Sequence, residues 1–204
     1  MQQRTNLPME NAVICCFECI DTPLVHTKVA YQDSTRSYLG LDSIFKSRMI
    51  LKETTAVETP SEEVYRFFEE MEENYERWHP DHITFRWIEG VGLEQGAEAY
   101  FEERIAGKLQ KKTVKFVKVT PDRYMEFKPT SLLIGLLMPH ISFTINTRPD
   151  GCELTQRIKV RTGPIGARLN KREFDAVRTH MREEGENLKR ILENEDRVPS
   201  GKKP

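Results

Sequence analysis

Cysteine is scarce in this chain and badly spaced for a scaffold. There are four in 204 residues, and three of them, Cys15, Cys16 and Cys19, crowd into one short stretch. Cysteines so close together do not make a disulfide framework. Cys16 and Cys19 have CxxC spacing, but a structural zinc site ordinarily draws on a second such pair, and none follows. His26 is the only other ligand type nearby. The cluster reads as an apolar stretch in a reducing compartment. Long hydrophobic runs are also missing. The longest, from Leu132 to Met138 and broken by Gly135, is far below the roughly 20 residues of a membrane span. Charge of one sign is missing too. Lys and Arg number 31 against 32 Asp and Glu, a net charge of -1, which leaves no footprint for nucleic acid or an anionic membrane. The N-terminus lacks a charged-then-apolar leader with a small-residue cleavage site. These absences predict a soluble, cytoplasmic protein with no nucleic-acid partner and no membrane insertion.

What is present divides in two. Residues 1–44 show no clear periodicity and form an N-terminal extension whose order the pattern leaves open; residues 45–195 are well patterned; residues 196–204, rich in Pro, Gly and Lys, predict a disordered tail. Residues 49–57 alternate weakly, as an edge strand does. Thr59-Pro60-Ser61-Glu62 is a helix start, with Thr59 as N-cap, Pro60 at the first helical position and Glu62 closing a capping box. The helix carries Val64, Phe67 or Phe68, Met71, Tyr75 and Trp78 on one stripe, and Pro80 stops it. Strands follow at 83–88, 97–106, 109–119, 124–128, 141–147 and 152–160, separated by turns such as Gly107-Lys108, Pro121-Asp122 and Asp150-Gly151. A loop with Gly163, Pro164 and Gly166 leads to Asn170, which caps a last helix running to about 193. This order predicts an α+β helix-grip fold. A curved antiparallel sheet wraps around a long C-terminal helix, with a cavity between them.

Three places carry polar chemistry. On the last helix, Phe174, Val177, Met181, Leu188 and Ile191 step by three and four, and the position that continues the stripe between Met181 and Leu188 is Glu184. His180 lies one turn before it. A carboxylate turned toward a core needs a partner or a metal; a His–Glu hydrogen bond on a partly wet face is the plainer alternative. The second place is Trp78-His79-Pro80-Asp81-His82, where two imidazoles flank a helix-ending proline. The third is the strand at 97–106. If Phe101 and Ile105 face inward so does Glu103; a slip of one residue selects Glu102 instead. Imidazole and carboxylate together suit zinc and related divalent ions. Other features read as structural. Phe85 and Trp87 pack in the sheet and His140 is a loop residue. Lys111, Lys112, Lys115 and Lys118 line a solvated face, while Arg178, Arg182 and Lys189 form the wet side of the last helix.

The order of elements, and the opening segment from Glu53 to Val64, resemble the Bet v 1-like, START-related superfamily. That likeness implies a cavity for a small hydrophobic or aromatic molecule. The polar constellation is similar to one branch, the diacetylphloroglucinol and phloretin hydrolases. Trp78-His79-Pro80 matches that family's Trp-His-Pro segment, and His180 and Glu184 match its helical His and Glu four apart. The resemblance implies a Zn2+ ion, or another divalent metal such as Fe2+ or Mn2+, held by His79, Glu103, His180 and Glu184. It further implies hydrolysis of the carbon–carbon bond between an acyl group and a phenolic ring. His82 falls where the family has a substrate-contacting polar residue and is assigned as general base, with Tyr75 or Tyr100 supplying a proton to the ring. Two other classes fit the same fold: a carrier or sensor of small hydrophobic ligands, and a metal-free polyketide cyclase or aromatase-like enzyme. A homodimer is compatible with all three.

Overall fold

In a computed structural model, the described residues are 48–162 and 164–195. The Cys15–Cys19 cluster, the N-terminal extension and the tail beyond 195 lie outside them. Seven strands form one antiparallel sheet: β1 (Arg48–Val57), β2 (His82–Glu89), β3 (Glu98–Ile105), β4 (Lys108–Thr120), β5 (Tyr124–Pro129), β6 (His140–Arg148) and β7 (Gly151–Arg161). Their spatial order is β1-β7-β6-β5-β4-β3-β2, so β1 and β2 are the two edges. Helices α1 (Ser61–Glu69) and α2 (Met71–Trp78) carry the chain from one edge to the other. Two short helices follow, α3 (Leu132–Leu137) and α4 (Pro164–Leu169), and then the long α5 (Lys171–Glu195).

Local chemistry accounts for the joints. Between β3 and β4, Ala106 and Gly107 both have positive φ (52° and 76°), the two-residue turn whose twist suits a tight hairpin. The expected single helix before β2 is two, because the chain breaks at Glu70 (φ -91°, ψ 35°). Pro60, not Thr59, occupies the N-cap position of α1, and no side chain caps it there. Asn170 stands immediately before α5, at the expected cap position. Its amide donates to the Gly166 carbonyl (2.9 Å) and so closes the end of α4. The apolar run at 132–138, unassigned from sequence, makes α3, none of whose residues is buried. His140 is not in a loop but opens β6, where its Nδ1 contacts Glu126.

The core lies between the inner sheet face, α1–α2 and α5. Val57, Val64, Phe68, Tyr75, Trp78, Met125, Phe143, Leu154 and Leu188 form one buried cluster. Phe68 meets Trp78 edge-on at 5.3 Å and 81°, a geometry that adds to the burial gain of large rings. Two contacts fix α5 on this core. The Trp78 indole N–H donates to the Glu184 carbonyl (2.9 Å), and the Gln156 amide donates to the Met181 carbonyl (3.0 Å). Gly185 allows the closest approach, since a Cβ there would stand 2.1 Å from Thr55 Oγ1 on β1. Glu184 is thereby held over the end of α2.

Candidate metal centre

Four polar side chains converge where α2, β2, β3 and α5 meet. His79 and His82 begin and end a four-residue turn, with the His82 N–H donating to the His79 carbonyl (3.0 Å). Pro80 stands at the second position, where its fixed φ suits the turn. That turn delivers His82 to the first residue of β2, directly opposite Glu103 on β3. A register shift between His82 and Thr84 follows; such a bulge re-aims a side chain beside a site. Glu103 faces inward, 6 % exposed, whereas Glu102 points outward to Lys111 and Tyr100. His180 and Glu184 reach in from α5, each 7 % exposed.

The donor atoms are close together. His82 Nε2 lies 3.1 Å from Glu184 Oε1, 3.3 Å from His180 Nε2 and 3.8 Å from Glu103 Oε2. His180 Nε2 lies 3.6 Å from Glu184 Oε1 and 3.8 Å from Glu103 Oε2. A tetrahedron of ligands at zinc distances of about 2.0–2.1 Å has edges of about 3.3–3.4 Å, so the spacing fits one ion. The tautomers agree. His82 Nδ1 is 2.9 Å from the Tyr75 carbonyl, which can only accept, so the proton is assigned to Nδ1 and Nε2 keeps its lone pair. A ring nitrogen tied to a carbonyl, with the other turned into a donor set, is the usual setting of a metal-binding histidine. Two carboxylates and two imidazole nitrogens facing one point require a cation between them, whether protons or a metal.

The electrostatics show the same demand. Burial lowers the affinity of His82 for a proton, but the hydrogen bond and charge of Glu184, with Glu103 and the Tyr75 carbonyl, raise its pKa overall. At His180, burial prevails and the other two imidazoles add to it, so its pKa is lowered. Burial raises the Glu103 carboxyl, yet the Lys112 ammonium, followed by His180 and His82, holds it down at about 2. Tyr75 stacks flat on His82 at 4.0 Å and donates to Glu103 Oε2 (3.3 Å). Burial and the two carboxylates push its pKa far above the ordinary phenol value, so it stays protonated.

Among the residues singled out from sequence, Glu103, His180, Glu184 and His82 share one donor set, and Tyr75 adjoins it. His79 is buried beside them, its ring 4.1 Å from that of His180. Its nitrogens are engaged elsewhere: Nδ1 accepts the Asp81 N–H (3.1 Å), and Nε2 is 3.3 Å from Glu183. With His82 and His180, His79 makes a second, overlapping group of three imidazoles. Lys112 departs from the sequence expectation of a solvated face. Its side chain is 12 % exposed and its ammonium contacts Glu103 Oε1. The signal was its alternation with Val114 and Phe116, which places all three on the inward face of β4.

No protein-family model matches the chain, and no curated protein matches it. Solved structures do. The Zhui aromatase/cyclase from Streptomyces sp. R1128 is similar over 76 % of this chain and 100 % of its own, with a TM-score of 0.62 and 14 % identity. Ara h 8.0201 is similar over 72 % and 99 %, with a TM-score of 0.56 and 12 % identity. Major latex-like protein 151 from Panax ginseng is similar over 71 % and 97 %, with a TM-score of 0.55 and 13 % identity. The fold is therefore the Bet v 1-like helix-grip fold, a curved seven-stranded antiparallel sheet with a long C-terminal helix. Among the described residues, no helix is long and apolar enough to cross a membrane.

Proposed function

We propose that this protein is a metal-dependent hydrolase that cleaves the carbon–carbon bond between an acyl group and a phenolic ring. Its ligands are His82, Glu103, His180 and Glu184, with zinc the first candidate and iron or manganese the others. The convergence of these four buried side chains at ion-sized spacing carries the proposal. The family resemblance of Trp78-His79-Pro80 and of the His180/Glu184 pair supports the reaction class. His82 takes the ligand place that resemblance alone gives to His79, because His82 Nε2 points into the donor set while both nitrogens of His79 are occupied. His82 is then no longer free to act as a base.

When bound, a divalent ion would supply positive charge against the acyl carbonyl oxygen and a more acidic water. The side chains do the rest. Half-buried Phe85 and Phe101 beside Tyr75, with buried Trp78 beside His82, exclude bulk water from one side of the site. The raised pKa of Tyr75 belongs to the metal-free site; with a divalent ion offsetting the two carboxylates, Tyr75 would hold its proton less tightly, give it to the ring carbon as the acyl bond breaks, and recover one from the water that adds to the acyl carbon. The products are a carboxylic acid and the deacylated phenol, so water is the only co-reactant. The ring is a tolerable leaving group because an acyl phenol has a diketone-like keto tautomer, from which the departing ring carbon leaves as an enolate.

The test is a panel of monoacyl and diacyl phenols incubated with zinc-, iron- or manganese-loaded protein and followed by liquid chromatography. Metal-dependent release of the carboxylic acid, stopped by chelator and restored by metal, is the expected result. Metal-loaded protein that consumes no acyl phenol would reject this reaction. A second reading has its own support in the likeness to an aromatase/cyclase: a metal-free enzyme that uses the same imidazoles and carboxylates as acids and bases. A carrier of small hydrophobic ligands is the non-enzymatic form of that reading. Folded protein that stays metal-free and co-purifies with an aromatic ligand would favour it.

A further inference from the structure

The cluster has a charged neighbour outside the donor set. Lys112 stands on β4 opposite Phe101, whose ring centroid is 5.7 Å from its ammonium. Its side chain is 12 % exposed, whereas those of Lys111 and Lys115 on the same strand are 54 % and 41 % exposed. An ammonium so placed is costly unless paired, and its partner is Glu103 Oε1. The other oxygen, Oε2, faces His82 and His180 and accepts from Tyr75. A carboxylate with one oxygen committed to a buried ammonium presents only the other to an ion. The charges then add simply. Glu103 and Glu184 contribute two negative charges, Lys112 one positive, the ligand imidazoles and Tyr75 none, and a divalent ion two positive.

Building on the metal reading above, we propose that Lys112 is a positioning residue that pins Glu103 as a one-oxygen ligand and leaves the loaded centre with one net positive charge, so that the site selects a singly charged anion, such as an acyl phenol ionised at one hydroxyl. Neutral substrate forms lack the charge that this excess would neutralise. Without Lys112 the same centre would be neutral overall, and Glu103 would be free to turn both oxygens inward.

The full chain loaded with Co2+ tests this, read by visible absorption, by competition against a chromophoric chelator, and by titration with azide as the probe anion. Wild-type protein should bind Co2+, and azide should change its spectrum saturably. Lys112→Met should bind Co2+ about 10–100-fold more weakly, the usual size of an effect behind a ligand, with an altered spectrum and little response to azide. Lys112→Gln keeps a donor at Oε1 without the charge. It should retain the wild-type spectrum yet lose the azide response, which Lys112→Arg should restore. Lys112 variants that match wild type in affinity, spectrum and azide response would overturn the inference and leave the metal centre standing. Wild-type protein that takes up no Co2+ would overturn the metal reading beneath it. Because Lys112→Gln and Lys112→Arg keep a hydrogen-bond donor, they decide the matter even where Lys112→Met does not fold.

Discussion

Replacing Gly185 by alanine sets two physical effects against each other, and the structure says which one wins. In an isolated helix the change is favourable by roughly 0.5–1 kcal/mol, because glycine loses more backbone freedom than alanine. On α5 the new Cβ would stand 2.1 Å from Thr55 Oγ1 and 3.2 Å from Thr55 Cβ. Thr55 is stiff at χ1, and even a rotamer that swings its hydroxyl aside leaves its Cβ 3.2 Å away, so α5 must still move away from β1. Such overpacking costs about 1–3 kcal/mol. After subtracting the helix gain, Gly185→Ala should lose about 1 kcal/mol of stability, within a range of about 0–2.5 kcal/mol, read as a lower urea midpoint at unchanged slope. Thr55→Ala in the same background should recover much of the loss, a coupling that a double-mutant cycle isolates. Glu184 is the preceding residue, so the displacement should also weaken metal uptake. A Gly185→Ala protein more stable than wild type would show that the helix gain prevails and that α5 is not seated against Thr55 in this way.

Other perturbations address the site directly. Glu103 is held down at about 2 from an ordinary 4.5. A carboxyl depressed on folding stabilises the metal-free protein fully above pH 4.5 and loses that contribution as the pH falls toward 2. Acid denaturation followed by circular dichroism should show this limb, and Glu103→Gln should flatten it. Tyr75→Phe should cost about 0.5–1.5 kcal/mol for the lost hydrogen bond, keep the metal, and lower kcat for acyl-phenol hydrolysis far more than KM. His82→Ala should abolish stoichiometric zinc binding while His79→Ala retains it, as measured by competition with a chromophoric chelator; the reverse pattern would return the ligand role to His79.

Much of the fold was legible because it rests on short-range signals. Weak alternation marked β1, turn residues bounded the other six strands, and the stripe from Phe174 to Ile191 marked α5. The same periodicity placed Glu184 inward, whereas on β3 it left Glu103 and Glu102 as alternatives that only the strand register separates. What was not legible depends on backbone geometry between elements. Only the turn at Pro80 and the register shift after His82 decide which imidazole meets Glu103, and neither has a periodic signature. Lys112 was read with its neighbours as one charged stretch, although the alternation of β4 separates it from Lys111 and Lys115. The break at Glu70 and the exposed helix α3 follow from tertiary placement rather than from propensity.

The buried imidazoles and carboxylates are proposed to hold a metal. Elemental mass spectrometry of untagged purified protein, beside a folded His180→Ala/Glu184→Ala variant, tests it most directly. Near-stoichiometric zinc, iron or manganese in the wild type and none in the variant is the expected result. A folded wild-type protein that is metal-free as purified, and remains so after reconstitution with each of these ions, would contradict it.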